Sequence, residues 1–125
     1  MKVEISLGEL VDKVTILAIK LEKIGDPGKL KNIRKEHGLL HREMVSSGIA
    51  ETSPEYIRLI EINRKLWEIE DRIREKESAK SFDEEFITLA RGVYFNNDDR
   101  AAIKREINIR FGSDLVEEKS YTPYS

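Results

Sequence analysis

The chain of 125 residues has no cysteine, three prolines, seven glycines and few aromatic residues, and nowhere a long apolar run. Each shortage removes a class of function. Without cysteine there is no thiol nucleophile, no thiolate-held zinc and no disulfide framework, which suits a reducing, cytoplasmic setting. No stretch approaches the ~20 apolar residues of a membrane span, and Met1 to Leu10 lacks the basic-then-apolar order of a signal peptide, so no membrane association is expected. Charge of one sign is missing too. The 22 basic and 24 acidic residues nearly cancel, so no global field draws nucleic acid. The locally basic stretch from Lys29 to Arg42 has no interleaved aromatics, and nucleic acid is not expected as a partner.

What is abundant is charge of both signs, 37% of all residues, in a chain with few helix breakers. That composition suits long solvated helices. The length fits one domain, residues 1–125, able to bury a core without disulfides or a structural metal. The expected fold class is all-α: a helical bundle of about five helices, near 7–24, 27–47, 54–79, 82–95 and 98–111. A long central helical hairpin and an irregular C-terminal tail over 112–125 complete it.

The first helix carries more apolar surface than a surface helix needs. Ser6 and Glu9 have the spacing of a capping box, and Gly25 with Pro27 marks the end. Leu7, Leu10, Val11, Val14, Leu17, Ala18, Leu21 and Ile24 share one arc, the expected core face. Ile16 and Ile19 project from the other side, near Asp12 and Lys23, so a second layer or another subunit should cover them. Before this helix, Val3 and Ile5 alternate with polar residues and are expected to tuck against the bundle.

Asp26 and Pro27 open the second helix, where Leu30, Ile33, Leu40 and Met44 form a narrow face with His37 in it. His37 and His41 are one turn apart, a chelating spacing, but no motif supplies a third ligand. Two ordinary histidines explain them, and no metal or cofactor is implied. Ser53 and Pro54 open the third helix. Leu59, Ile62, Leu66, Ile69 and Ile73 make its seam, and Tyr56, Ile60 and Trp67 make a second stripe. Asn63 and Glu70 lie between the stripes. They mark either the border between two contact surfaces, the reading adopted here, or an internal polar site.

Ser81 with Glu84 reads as the capping box of a fourth helix bearing Phe82, Phe86, Leu89, Ala90 and Val93. Asn96 and Asn97 then suit a turn and a new N-cap, and Asp98 and Asp99 favour the start of a fifth helix. Arg100 shares the line of Ile103, Ile107 and Phe111, so its guanidinium should anchor on a carboxylate or helix-end carbonyls. The tail ends with Tyr121 and Tyr124, which either dock on a groove or stay free.

Two phrases, SLGELVDKVTILAIKLEKIGDPGKL and YFNNDDRAAIKREINIRFGSDLVEEKSY, resemble a family of small bacterial proteins classed as a domain of unknown function. The resemblance implies a setting in surface-polysaccharide synthesis and supplies no catalytic residues.

Two functions are compatible with these features. The first is a non-catalytic interaction or accessory module that self-associates as a homodimer or meets a protein partner, through Ile16, Ile19, Tyr56, Ile60, Trp67, Tyr121 and Tyr124. The alternative is a helical enzyme or binder of small-molecule or phosphate ligands, with a site between helices. Its first candidates are Asn96, Asn97, Arg100, Lys104 and Asn108, basic and amide groups one turn apart at a helix start. Carboxylate pairs such as Glu9 with Asp12 and Glu68 with Asp71 have the spacing that holds a hard cation, and chance explains them as well. Lys13 and Arg72 complete the basic residues available to grip a dicarboxylate.

Overall fold

The computed structural model describes Met1 to Tyr124; Ser125, the last residue of the expected tail, lies outside them. Among the described residues four helices follow one another, α1 (Leu7–Lys23), α2 (Pro27–Ser46), α3 (Pro54–Ser78) and α4 (Glu84–Arg110). The first three begin where their caps foretell. Ser6, Asp26 and Ser53 each accept a backbone N–H of the first turn, and Pro27 and Pro54 occupy the first turn, where no N–H is needed. Gly48, just past the end of α2, has φ +85 and supplies the left-handed turn there.

Three local expectations are corrected. Gly25 does not take the left-handed conformation, because α1 ends on an extended Ile24. The capping box at Ser6 is half formed, since the Glu9 carboxylate turns away from the cap to Lys104. Val3 and Ile5 stay exposed.

The larger correction is the helix count. Residues 82–95 and 98–111 belong to one continuous helix, α4, with no break at Asn96. Its cap is Asp83, which accepts from the Phe86 N–H, in place of the expected Ser81. Asn and Asp cost a helix interior only a few tenths of a kcal/mol, on the order of 0.5 each, and no proline enforces a stop. Asn96 stays helical by donating its amide to the Gly92 carbonyl at 2.7 Å.

α1 packs against α2, α3 and α4, and α3 pairs with α4 in a long hairpin. A helix with three neighbours needs apolar residues on three sides, which accounts for the excess on α1. Leu10, Val11, Val14 and Ile19 of α1 join Met44, Ile49, Tyr56, Leu59, Ile60, Ile103 and Ile107 in one core cluster. Ile19, Tyr56 and Ile60, expected at an intersubunit surface, are therefore buried inside their own chain.

Candidate functional site

A layer of polar residues runs through the middle of this bundle. On α1 it comprises Gly8, Asp12 and Thr15, all buried, at helical spacings of four and three. On α3 it is Asn63. On α4, Asn97, Arg100, Lys104 and Asn108 hold the inward positions, and the last two are buried.

The N-terminus of α1 explains one end of the layer. Its first N–H groups lack partners within the helix, so they must find them elsewhere. Leu7 donates to Ser113 Oγ at 3.0 Å, Gly8 to Asn108 Oδ1 at 2.7 Å, and Glu9 to Ser6 Oγ at 3.1 Å. Asn108 thus caps another helix. Gly8 permits the approach: a Cβ there would lie 2.4 Å from the Lys104 carbonyl oxygen.

Asp12 holds the centre with 1% of its surface exposed. The Arg100 guanidinium grips it as a fork, Nε donating to Oδ1 at 2.9 Å and Nη2 to Oδ2. Asn63 donates to the same Oδ1 at 2.8 Å and to Thr15 Oγ1 at 2.9 Å. Thr15 donates in turn to the Asp12 carbonyl at 2.7 Å. The bonds to Asp12 raise the Arg100 pKa against the lowering effect of burial. Asn63 therefore belongs to an internal polar site, and its reading as a border residue is corrected. Its neighbour in that reading, Glu70, is exposed.

Lys104 is also spoken for. Burial lowers its pKa, but the bond to Glu9 at 2.8 Å and the charges of Asp12, Glu9 and Glu117 outweigh this and raise it. Of the five ligand candidates, Asn97 and Arg100 line two larger clefts, Lys104 and Asn108 border a smaller one of about 240 Å³ beside Glu117 and Lys119, and Asn96 is half-buried. Asn97 Oδ1 accepts from Arg100 Nη1 at 3.4 Å.

These two residues line two clefts. The first, about 820 Å³, lies between α4 and the tail and is bordered by Tyr94, Lys119, Tyr121 and Tyr124. Tyr124 docks there, its ring 5.2 Å from that of Tyr94 and 5.1 Å from Phe95, with its hydroxyl on Asp98. The Asp98 carboxylate holds the Tyr124 pKa up at about 12. Tyr121 stays exposed. The second cleft, about 550 Å³, opens where α1, α3 and α4 meet, with Ile16, Leu66 and Trp67 beside Asn63, Asn97 and Arg100. Ile16 and Trp67, expected at an interface, are half-buried there. Sequence reasoning missed Asp12 and Asn63 as members of one site; the signal available was their buried-face spacing against Thr15 and Leu59.

The remaining candidates stay apart. His37 and His41 stack at 5.4 Å, and His41 Nε2 meets Glu51 at 2.5 Å. Among the described residues, no three His, Cys, Asp or Glu side chains are grouped to hold a metal ion. Glu68 binds Lys23, Lys13 is exposed, and Arg72 is engaged by Glu75 and Glu85 on the hairpin. They do not converge with Arg100.

The distal hairpin is a second candidate surface. From Arg64 to Asp99, all described, Lys76 alone is buried. Leu66, Ile69, Ile73, Phe86, Leu89 and Val93 are half-covered, and Phe82 and Ile87 are 56% and 55% exposed.

A family model described as a family of unknown function (DUF6165) matches residues 1–125. The chain belongs to this family. No curated protein and no solved structure matches it. In this DUF6165 chain no helix is long and apolar enough to cross a membrane, among the described residues.

Proposed function

We infer that this DUF6165 protein is a non-catalytic accessory module that self-associates through the distal half of its α3–α4 hairpin. One observation carries the reading. The hairpin runs for 36 residues, Arg64 to Asp99, with an apolar seam whose members are all left half-covered. Two helices alone cannot enclose such a seam, whereas two hairpins make a four-helix bundle. A second copy is the simplest cover, because a two-fold contact uses the same patch twice. The rim does not oppose it, since it carries both signs, with Arg72 paired to Glu75 and Glu85 and Lys80 to Glu77 within the chain, and so presents no single-sign field to a second copy. Surface-polysaccharide synthesis, the setting implied by the family resemblance, is where we place the accessory role.

The test is mass in solution by light scattering. The wild-type chain should have twice its 14.5 kDa. Ile87→Glu, which alters an exposed side chain and spares the fold, should return it to the monomer. A monomeric wild type, or a variant still dimeric, would sink the reading.

A further inference from the structure

We propose that the outward face of α2 docks an acidic helix of a partner protein. The argument starts from the packing of α2, which among the other helices lies against α1 alone. Its inner face is the buried Met44, with Leu30, Ile33, His37 and Leu40 half-covered around it. At 100° per residue, Lys31, Arg34, Lys35, Gly38, Arg42 and Val45 fall in an arc of about 100° turned away from that face. All six are exposed. From Lys31 to Arg42 the row is about 17 Å long. No acid interrupts it, since Glu36 and Glu43 stand about 120° or more from its middle.

On α3 and α4 the cations mostly find acids, as Arg58 does in Glu106, Arg64 in Glu22 and Arg105 in Glu118. On α2, among the described residues, no carboxylate pairs with Lys31, Arg34, Lys35 or Arg42. Lys31 stands three and four residues from Arg34 and Lys35, spacings at which like charges on a helix repel. Gly38, in the middle of the row, weakens the helix further, because glycine is the poorest helix former after proline. No packing demands it: a Cβ there would meet nothing within 4 Å. The row therefore combines a repulsion and a weak point that the chain itself does not use. A partner bearing carboxylates relieves the first, and the bare backbone at Gly38 lets it come close.

The shape of the row selects a helix. Its members recur three, four, seven and eleven residues after Lys31, the intervals at which a second helix laid alongside presents its own side chains. Val45, 54% exposed, continues the row and adds an apolar contact at one end. A lipid surface or a nucleic-acid duplex is broader than this strip and would press on Glu36 and Glu43 beside it. Neither would find a Phe, Tyr or Trp on α2 to insert or stack.

The probe is a fluorescein-labelled, alanine-rich helical peptide with Glu at positions matching the row, followed by anisotropy as the full chain is added. It should bind saturably, and more weakly as salt rises. A scrambled peptide of the same composition should bind about tenfold more weakly or worse, and so should the first peptide to a chain carrying Lys35→Glu and Arg42→Glu, both exposed positions. Gly38→Gln should melt at a higher temperature than the wild type yet bind the peptide about threefold more weakly or worse. No saturable binding, or equal binding of the scrambled peptide, would overturn the proposal. So would tighter binding of phosphatidylglycerol vesicles or of a DNA duplex, or a Gly38→Gln chain that binds as the wild type does. Ile87→Glu should leave peptide binding unchanged, so this face and the self-association reading fail separately.

Discussion

Gly8 occupies a position that no side chain can share. Its neighbour is the Lys104 backbone, 2.4 Å from an added Cβ, and backbone cannot swing aside as a side-chain tip would. Gly8→Ala should therefore part α1 from α4, break the 2.7 Å bond to Asn108, and cost about 2–4 kcal/mol in urea denaturation. A loss under 1 kcal/mol would contradict this close approach. Asp12 and Arg100 make a different kind of claim. Arg100→Met leaves a carboxylate enclosed without its cation, at a cost of about 3–5 kcal/mol, whereas the double change Asp12→Leu with Arg100→Met removes both charges and should lose less. The order of the two stabilities tests the pairing. That Arg100 needs an anchor was legible, because a guanidinium on the line of Ile103 and Ile107 must find a carboxylate or the carbonyls of a helix end. Which acid was not, since Asp12 on a helical wheel looks like an ordinary solvated shoulder until α4 is laid beside it.

At the scale of the elements, α1, α2 and α3 were legible to within a residue or two because Ser6, Asp26–Pro27 and Ser53–Pro54 are local signals with local causes. α4 was not. Its inward line runs through Asn97, Arg100 and Lys104, polar residues held in place by α1, so the apolar rhythm vanishes where the helix continues. The hairpin tip shows the same dependence on distant partners. Lys76 donates to Asp83 at 2.8 Å, and this bond, with the Phe86 N–H at 3.0 Å, lowers the Asp83 pKa from 3.8 to about 2. A depressed carboxylate stabilises the folded tip fully above pH 3.8, and that contribution fades as pH falls through about 2. The Phe86 amide, followed by NMR from neutral pH downward, should shift with a midpoint near 2. A midpoint near 4 would mean that Lys76 does not hold the cap.

At the scale of the molecule, the excess apolar surface of α1 proves to be internal, with Ile19 enclosed and Ile16 on a cleft wall. The surface left incomplete is elsewhere, along the α3–α4 hairpin towards its tip, past the bond of α1's Lys23 to Glu68. A wheel drawn for one helix shows that a face is apolar. Which faces meet depends on which helices lie alongside, and that information is not local. The distinction matters for function, since a self-associating module should be firm where α1 packs and soft along the distal hairpin until a second copy arrives. Hydrogen exchange measured across a range of protein concentration reads this directly. Amides of residues 66–93 should exchange faster on dilution, while those of Val11, Val14 and Ile107 stay protected at every concentration. Exchange in the hairpin that does not depend on concentration would contradict the account.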